Sequence, residues 1–239
     1  MIIKTIIFDV DDTLYDQLQP FHKAVHQQLN TSFNNDEIKA LYLASRKYSD
    51  EVFEKHMNGG EITALDLQTY RITKACQDFG ISLTYQQAVT FQETYLHEQQ
   101  QIQLFPAIVE LLDSLYANNK QLAILTNGEV DHQMMKVQRL GITQWVPAEH
   151  IFVSARVGYS KPSQKLFEYV ENTLELDKDH TVYIGDSFEN DIIGAKQMGW
   201  SAIWMNHRQR TKPVSNHQPD HTIESSDDLL AIFDIMEEV

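Results

Sequence analysis

The sequence is poor in cysteine, in basic residues and in long hydrophobic runs. Cys76 is the one cysteine among 239 residues, which excludes an internal disulfide framework and a zinc cluster built from several thiolates. We expect its thiol to be buried and unreactive. Basic residues number 19 against 34 acidic ones, and the net charge of −15 argues against nucleic-acid polymers and anionic membrane surfaces as partners. Small molecules or proteins are the partners that this composition favours.

Hydrophobic runs long enough to cross a membrane, about 18 residues, are also missing. The first residues read MIIKTIIFDVDD, a short apolar run that closes on acids, so we expect neither a signal peptide nor a membrane span. We therefore predict a cytoplasmic protein. The ten histidines lack the spacing of metal ligands on a helix, and no zinc site is predicted. Nothing in the sequence predicts the oligomeric state.

The order of apolar patterns predicts two domains. Residues 2–9 form an apolar, β-branched run typical of a strand that is buried on both faces. Residues 16–105 have apolar side chains at helical spacing and few strand signals. From residue 106 helices and strands alternate, which indicates right-handed crossovers and a doubly wound parallel sheet. We predict an α/β core, residues 1–15 and 106–239, and an inserted helical cap domain, residues 16–105, over the ligand-binding edge of the sheet.

The chemistry begins with Asp9 and Asp11 at the end of the first strand. Side chains two residues apart lie on the same side of a strand, so both carboxylates can face one point, as nucleophile and as general acid/base. Two such charges raise one pKa unless a cation neutralises them, and a hard divalent ion suits oxygen ligands. Acids after a strand also cap helices or form turns, and we favour that interpretation for Asp12 and Thr13.

A second acidic segment follows a later strand. Gly185 breaks the strand, Asp186 stands at its end, and Asp191 lies one turn into the next helix. Acids at two strand ends can share Mg²⁺, which prefers oxygen ligands.

Two further strand ends suit an anion. Thr126 and Asn127 offer a hydroxyl and a backbone N–H to a phosphoryl oxygen. Lys161, fixed ahead of Pro162, offers a compact positive charge to a phosphate or to a negative transition state. A lone lysine in a loop is usually solvated, but the other three strand ends favour a functional role for this one.

These four segments, in this order, resemble the four motifs of the haloacid dehalogenase (HAD) superfamily of phosphohydrolases. The matching segments are Asp9-Val10-Asp11-Asp12-Thr13, Thr126-Asn127, Lys161 and Gly185-Asp186 to Asp191. The resemblance covers the whole chain, including the helical insertion that marks the C1-capped phosphatases. It implies a Rossmann-like core under a helical cap. The order of cap and motifs in this chain resembles that of the house-cleaning nucleotide phosphatases and that of the phosphoglycolate-type phosphatases to an equal degree.

The resemblance also implies a role for each matching residue. Asp9 would attack the phosphoryl group and form an aspartyl-phosphate, while Asp11 would protonate the leaving oxygen and then activate water. Mg²⁺ would be held by the carboxylates of Asp9 and Asp186 and by the backbone carbonyl of Asp11. Asp191 would act from outside the metal's ligand set and orient Lys161. Lys161 would neutralise charge, and the phosphoryl group would be bound by Thr126 and the Asn127 N–H.

Several alternatives stay open at this point. Halide-removing members of the superfamily lack an aspartate two residues after the nucleophile, so Asp11 argues for phosphate chemistry against a 2-haloacid dehalogenase. Phosphosugar mutases share the same motifs. A catalytically idle binding protein would be expected to have lost one of them, and none is missing. We expect a small phosphorylated substrate, with a nucleoside monophosphate as one candidate.

Two groups of polar residues lie outside the motifs. Cap side chains that could select the leaving group are His22, Lys23, Arg46, Lys47, Tyr48, Arg71 and Lys74. Near the end of the chain stand Arg208, Arg210 and Lys212, which we predict to lie in a solvated loop.

Overall fold

A computed structural model describes residues 3–57 and 63–237, and the chain divides into two compact units. One unit comprises Met1–Asp16 and Gln103–Val239, and the other comprises Gln17–Ile102. The sequence also predicts a break between helices at Gly59-Gly60, and these two glycines lie outside the described residues. Within the described residues no helix has the length and apolar character needed to cross a membrane.

The first unit is built on one sheet of six parallel strands in the order β3-β2-β1-β4-β5-β6. The strands are β1 (Thr5–Phe8), β2 (Gln121–Thr126), β3 (Ile151–Val153), β4 (Thr181–Gly185), β5 (Ser201–Met205) and β6 (His221–Ile223). Every residue of β1 and β4 is buried, as expected for central strands covered on both faces. The predicted doubly wound parallel sheet is confirmed.

In the first unit helices lie between successive strands except between β5 and β6, and in the described part of the second unit all of the regular structure is helical. The helices are α1 (Leu18–Gln28), α2 (Asn35–Met57), α3 (Ala64–Asp78), α4 (Tyr85–Gln99), α5 (Pro106–Ala117), α6 (Val130–Arg139), α7 (Ser154–Val157), α8 (Gln164–Leu174), α9 (Ile193–Gln197) and α10 (Asp227–Glu237). Local sequence sets several of their starts. Thr63 and Thr84 form capping boxes at α3 and α4, and Pro106 occupies the first turn of α5.

Several element boundaries differ from those that the sequence predicts; β1, expected over residues 2–9, comprises Thr5–Phe8. The strand expected over residues 150–155 ends at Val153, and α7 begins immediately after it. The helix expected over residues 191–199 begins earlier, with a wide π-helical turn at Phe188–Ile192. The Ser187 side chain caps this turn by accepting a hydrogen bond from the Asn190 N–H.

The helical unit has its own apolar core. The ring of Phe21 meets those of Tyr42, Phe91 and Tyr95 edge to face, at centroid distances of 5.3, 5.4 and 5.8 Å. Cys76 is fully buried in this core, and burial raises the pKa of its thiol to about 12. The expected buried thiol is confirmed.

Candidate active site

Three neighbouring strands bring their carboxyl ends together at one edge of the sheet. Phe8, the last residue of β1, pairs with Ile124 of β2 and with Ile184 of β4. The next residue, Asp9, donates its backbone N–H to the Ile184 carbonyl at 2.9 Å. Asp186 follows β4 directly, and both aspartates are buried. Strand register therefore places the first and fourth sequence motifs side by side.

Lys161 links these motifs through its buried ammonium group. Its Nζ lies 2.7 Å from Asp9 Oδ1 and 2.6 Å from Asp191 Oδ1, and it is 3.0 Å from the hydroxyl of Tyr183. Burial lowers the pKa of Lys161, but the charges of Asp191 and Asp9 outweigh burial and raise it above the usual value. The lysine is therefore held as a cation next to the carboxylate that the sequence predicts as nucleophile. Sequence reasoning missed Tyr183, which lies inside an apolar strand.

Asn127 fixes the backbone that carries Lys161. Its side-chain Oδ1 accepts from the Lys161 N–H at 2.9 Å, and its Nδ2 donates to the Lys161 carbonyl at 3.1 Å. The side chain is thus engaged in structure, and the backbone N–H is the group that the sequence assigns to phosphate. Thr126, the other predicted phosphate ligand, is the buried last residue of β2.

Asp191 is held from several sides. Its Oδ2 accepts from the Ser187 N–H at 2.9 Å, while Oδ1 takes the contact with Lys161. The absence of a side chain at Gly185 makes room for it, because a Cβ at residue 185 would lie 2.7 Å from the Asp191 Cβ. The fixed carboxylate in turn fixes the ammonium group of Lys161.

The electrostatics of Asp9 reflect an excess of acids. The pKa of Asp9 is raised to about 7, because burial and the charges of Asp191, Asp186 and Asp11 raise it by more than the charge of Lys161 lowers it. Five buried carboxylates here meet four cationic side chains: Asp9, Asp11, Asp12, Asp186 and Asp191 with Lys136, Lys161, Arg208 and Arg210. When all nine groups are ionised, one negative charge is left over.

The donor set fits a hard divalent cation. Carboxylate oxygens of Asp9, Asp186 and Asp191 all lie within 4.8 Å of one another, and all three residues are buried. Mg²⁺ takes oxygen ligands and would neutralise the excess negative charge of these carboxylates. Of the three, Asp191 already has both oxygens engaged, by Lys161 and by the Ser187 N–H.

Asp11 has a separate set of partners that sequence reasoning missed. Lys136 Nζ lies 2.7 Å from Asp11 Oδ1 and 2.6 Å from Oδ2, and the Tyr15 hydroxyl donates to Oδ1 at 2.6 Å. Gln133 Nε2 is 3.2 Å from Oδ2. The signal was present in α6, where Gln133 and Lys136 share helical spacing with the buried Val137 and thus occupy positions that normally take apolar side chains.

The prediction of a solvated basic loop was wrong for two of its three residues. Arg208 is buried, with Nη2 2.7 Å from Asp12 Oδ1 and also bonded to Asp16. Arg210 Nη2 donates to the Asp186 carboxylate and, at 2.6 Å, to its carbonyl. Lys212 is exposed, as predicted. Charge complementarity explains the difference, because both arginines meet acids in an acid-rich site.

Asp12 has a second role besides the turn position that the sequence predicts, because it pairs with Arg208. Its backbone does adopt a turn, with a left-handed φ of 56°. Burial raises its pKa, but hydrogen bonds and charges from His207 and Arg208 outweigh burial and hold the pKa well below its usual range. Asp12 therefore anchors the loop after β5 to the loop after β1.

Within the helical unit, several of the predicted cap residues already have partners. Lys23 pairs with Glu98 at 3.1 Å, and the Tyr48 hydroxyl donates to Asp78 at 2.9 Å. Arg46 and Arg71 line a small pocket of this unit.

Fold and site define an α/β enzyme of the Rossmann-like class, with an acidic centre and two buried lysines at the carboxyl edge of the sheet. The family model of haloacid dehalogenase-like hydrolases matches residues 3–199, and the chain belongs to this family. The resemblance drawn from the four motifs is confirmed.

Relatives within the family carry out different reactions. The chain is 26% identical to pyrimidine 5'-nucleotidase YjjG of Escherichia coli (strain K12), over 87% of this chain and 88% of that protein. It is 22% identical to (S)-2-haloacid dehalogenase 2 of Pseudomonas sp. (strain CBS-3), over 95% and 94% of the two chains. The magnesium-bound structure of the HAD-hydrolase YfnB from Bacillus subtilis has the same fold, with a TM-score of 0.71, 24% identity and coverage of 97% of this chain and 99% of that one.

Proposed function

We propose that the chain is a Mg²⁺-dependent phosphomonoester hydrolase that works through an aspartyl-phosphate on Asp9. The observation that carries the proposal is the pair of buried carboxylates Asp9 and Asp11, each held by its own lysine. A halide leaves a carbon atom without taking up a proton, so a dehalogenase has no use for a second acid there. An alkoxide leaving group needs a proton, and a carboxyl group two residues from the nucleophile can supply it.

The proposed chemistry has two steps. A carboxylate oxygen of Asp9 bonds to phosphorus while the bond to the leaving oxygen breaks, and that oxygen takes a proton from Asp11. Water then gives its proton to Asp11 and attacks phosphorus, which releases phosphate and restores Asp9. Lys161 stabilises negative charge on Asp9 and on the phosphoryl oxygens. The Thr126 hydroxyl and the Asn127 N–H hold the phosphoryl group in line.

Asp9 and Asp186, with the backbone carbonyl of Asp11, would hold Mg²⁺. Bound there, the ion would neutralise charge between the nucleophile and the phosphoryl group. Asp191 supports this arrangement from outside, through its contacts with Lys161 and the Ser187 N–H. Arg210 forms an ion pair with Asp186 and thereby restricts the motion of its carboxylate.

For substrate, we propose a small phosphorylated metabolite, with a nucleoside monophosphate as the first candidate. The name of the relative YjjG, a pyrimidine 5'-nucleotidase, supports this choice. We further propose that the helical unit Gln17–Ile102 acts as a cap that selects the leaving group, and that the protein works in the cytoplasm.

Hydrolysis of p-nitrophenyl phosphate with Mg²⁺, with and without a chelator, tests the reaction type. Turnover that needs the metal and disappears in Asp9→Asn is the expected result. Turnover that survives the chelator or Asp9→Asn would remove the proposal, and so would chloride release from 2-chloropropionate without phosphatase activity. A panel of pyrimidine and purine nucleoside monophosphates and sugar phosphates tests the substrate, and equal rates across the panel would remove the preference for nucleotides.

A further inference from the structure

The buried face of α6 carries two polar side chains, Gln133 and Lys136, that both end on the carboxylate of Asp11. Lys136 is 1% exposed and its Nζ reaches both carboxylate oxygens, at 2.6 and 2.7 Å. Gln133 is 2% exposed and places Nε2 3.2 Å from Oδ2 and 3.0 Å from the Asn127 carbonyl. Burying a lysine is costly unless its charge is paired, so this placement needs a reason.

We infer that Lys136, assisted by Gln133, is a positioning residue that fixes the carboxyl group of Asp11 for proton transfer in the reaction proposed above. The inference rests on the proposed function. Lys136 bonds both oxygens of Asp11, and Tyr15 bonds one of them from the other side, so rotation of the carboxyl group is restricted. A proton donor must lie within hydrogen-bond reach of the leaving oxygen, and a misplacement of about 1 Å can cost about 100-fold in rate.

Two lysines therefore have separate tasks at this edge of the sheet. Lys161 comes from the loop ahead of α8 and contacts Asp9 and Asp191. Lys136 comes from α6 and contacts Asp11. A substitution at Lys136 should therefore impair proton transfer to the leaving group, whereas a substitution at Lys161 should impair attack on every substrate.

The leaving group of the substrate separates these two effects. Phenyl phosphate releases a phenol with a pKa near that of tyrosine, about 10, which needs a proton. p-Nitrophenyl phosphate has nearly the same size, but its phenol is far more acidic and leaves as the anion. The ratio kcat/KM covers only steps up to leaving-group departure, and so excludes hydrolysis of the aspartyl-phosphate.

For Lys136→Met we expect kcat/KM on phenyl phosphate to fall by roughly 10- to 100-fold, within the range that general acid catalysis contributes. On p-nitrophenyl phosphate we expect a fall of less than about 3-fold, because no proton is needed there. Lys136→Arg keeps a cationic donor and should recover part of the loss. Lys165 is an exposed lysine on α8, and Lys165→Met is the matched control. It should leave kcat/KM unchanged on both phenyl phosphate and p-nitrophenyl phosphate.

A double-mutant cycle with Asp11→Asn shows whether Lys136 acts through Asp11. If it does, Lys136→Met adds no further loss on phenyl phosphate once Asp11 is replaced. If Lys136→Met loses kcat/KM equally on both aryl phosphates, or loses more of it in the Asp11→Asn background, the inference is overturned and the proposed function is unaffected. A wild-type protein inactive on both esters with Mg²⁺ would instead overturn the proposed function. If Lys136→Met fails to fold, Gln133→Leu replaces it in the same double-mutant cycle. Gln133→Leu should also lose more kcat/KM on phenyl phosphate than on p-nitrophenyl phosphate, by a smaller factor.

Discussion

The ammonium group of Lys161 lies 2.7 Å from the carboxylate of Asp9 inside the protein. Lys161 lowers the pKa of Asp9, but burial and three other acids outweigh the lysine, so that the pKa is raised to about 7. The lysine thus favours the ionised form of Asp9, which is the form that can attack phosphorus.

Lys161→Met should consequently reduce turnover and change its pH dependence. Loss of one fixed positive group at a developing negative charge costs about 100- to 1000-fold in kcat. The pKa of Asp9 rises further in the variant, so the ionised fraction at neutral pH falls and the residual activity increases as the pH is raised. A pH profile of kcat/KM against that of Lys165→Met checks both effects. An acid limb in the same position as in the wild type would show that Lys161 does not set the pKa of Asp9.

Mg²⁺ affinity should distinguish Asp186 from Asp11. Asp186→Asn removes a proposed carboxylate ligand, and we expect Mg²⁺ binding to weaken by at least about 10-fold. Asp11→Asn should lose turnover but keep most of its Mg²⁺ affinity, because the proposed ligand at residue 11 is the backbone carbonyl. Calorimetric titration measures both. Tryptophan fluorescence gives a second signal, since the Trp204 indole N–H donates to the Asp186 carbonyl at 2.8 Å. A large loss of affinity in Asp11→Asn would contradict this ligand set.

The motif residues could be predicted because they share one local rule. In a parallel sheet the carboxyl ends of neighbouring strands meet at one edge, so polar residues that directly follow apolar strands lie close together. Asp9 and Asp186 directly follow β1 and β4, and Thr126 is the last residue of β2. Lys161 could be predicted only because it stands in sequence order among the other three motifs.

The partners of the motif residues obey no such local rule. Arg208 bonds Asp12 across 196 residues of sequence, and Lys136 bonds Asp11 across 125. A charged residue in a polar loop or on a helix is usually solvated, and only the fold shows which of them turns inward. No pattern around Arg208 marks it as a buried residue. For Lys136 a sign existed, the helical spacing from Gln133 to Val137, which marks a buried face.

Gly185→Ala should disturb catalysis through Asp191. The added Cβ would collide with the Asp191 side chain, and the collision would displace the carboxylate that holds Lys161. We expect a destabilisation of about 1–3 kcal/mol, and a fall in kcat of about 10-fold or more from the displaced lysine.

Gly194→Ala is the matched control for that substitution. Its added Cβ would collide with the ring of Phe167 in the core rather than with a site residue. It should lose a similar amount of stability while the folded protein keeps its kcat. Denaturant unfolding and steady-state kinetics on both variants make the comparison. Equal kcat values in the two variants would mean that Asp191 does not depend on the space at Gly185.

Arg208→Leu should destabilise the protein in a pH-dependent way. Removal of the guanidinium takes away the charge and the hydrogen bond by which Arg208 lowers the pKa of Asp12, and breaking a buried pair costs about 3 kcal/mol at neutral pH. In the wild type the folded pKa of Asp12 lies below the unfolded value of 3.8, so the stabilisation is present above that value and is lost as the pH falls through the folded pKa.

In the variant the folded pKa of Asp12 lies higher than in the wild type, because the charge and the hydrogen bond of Arg208 are lost while burial remains. Asp12 therefore takes up its proton at a higher pH in the variant, and the variant gains stability relative to the wild type as the pH falls through that pKa. The free energy of unfolding, measured in urea at a series of pH values, should show the gap between the two proteins narrowing on acidification. Arg156→Leu, at an exposed arginine, should show almost no gap at any pH. A gap that keeps a constant size on acidification would mean that the cost of Arg208→Leu comes from lost packing and not from the buried charge of Asp12.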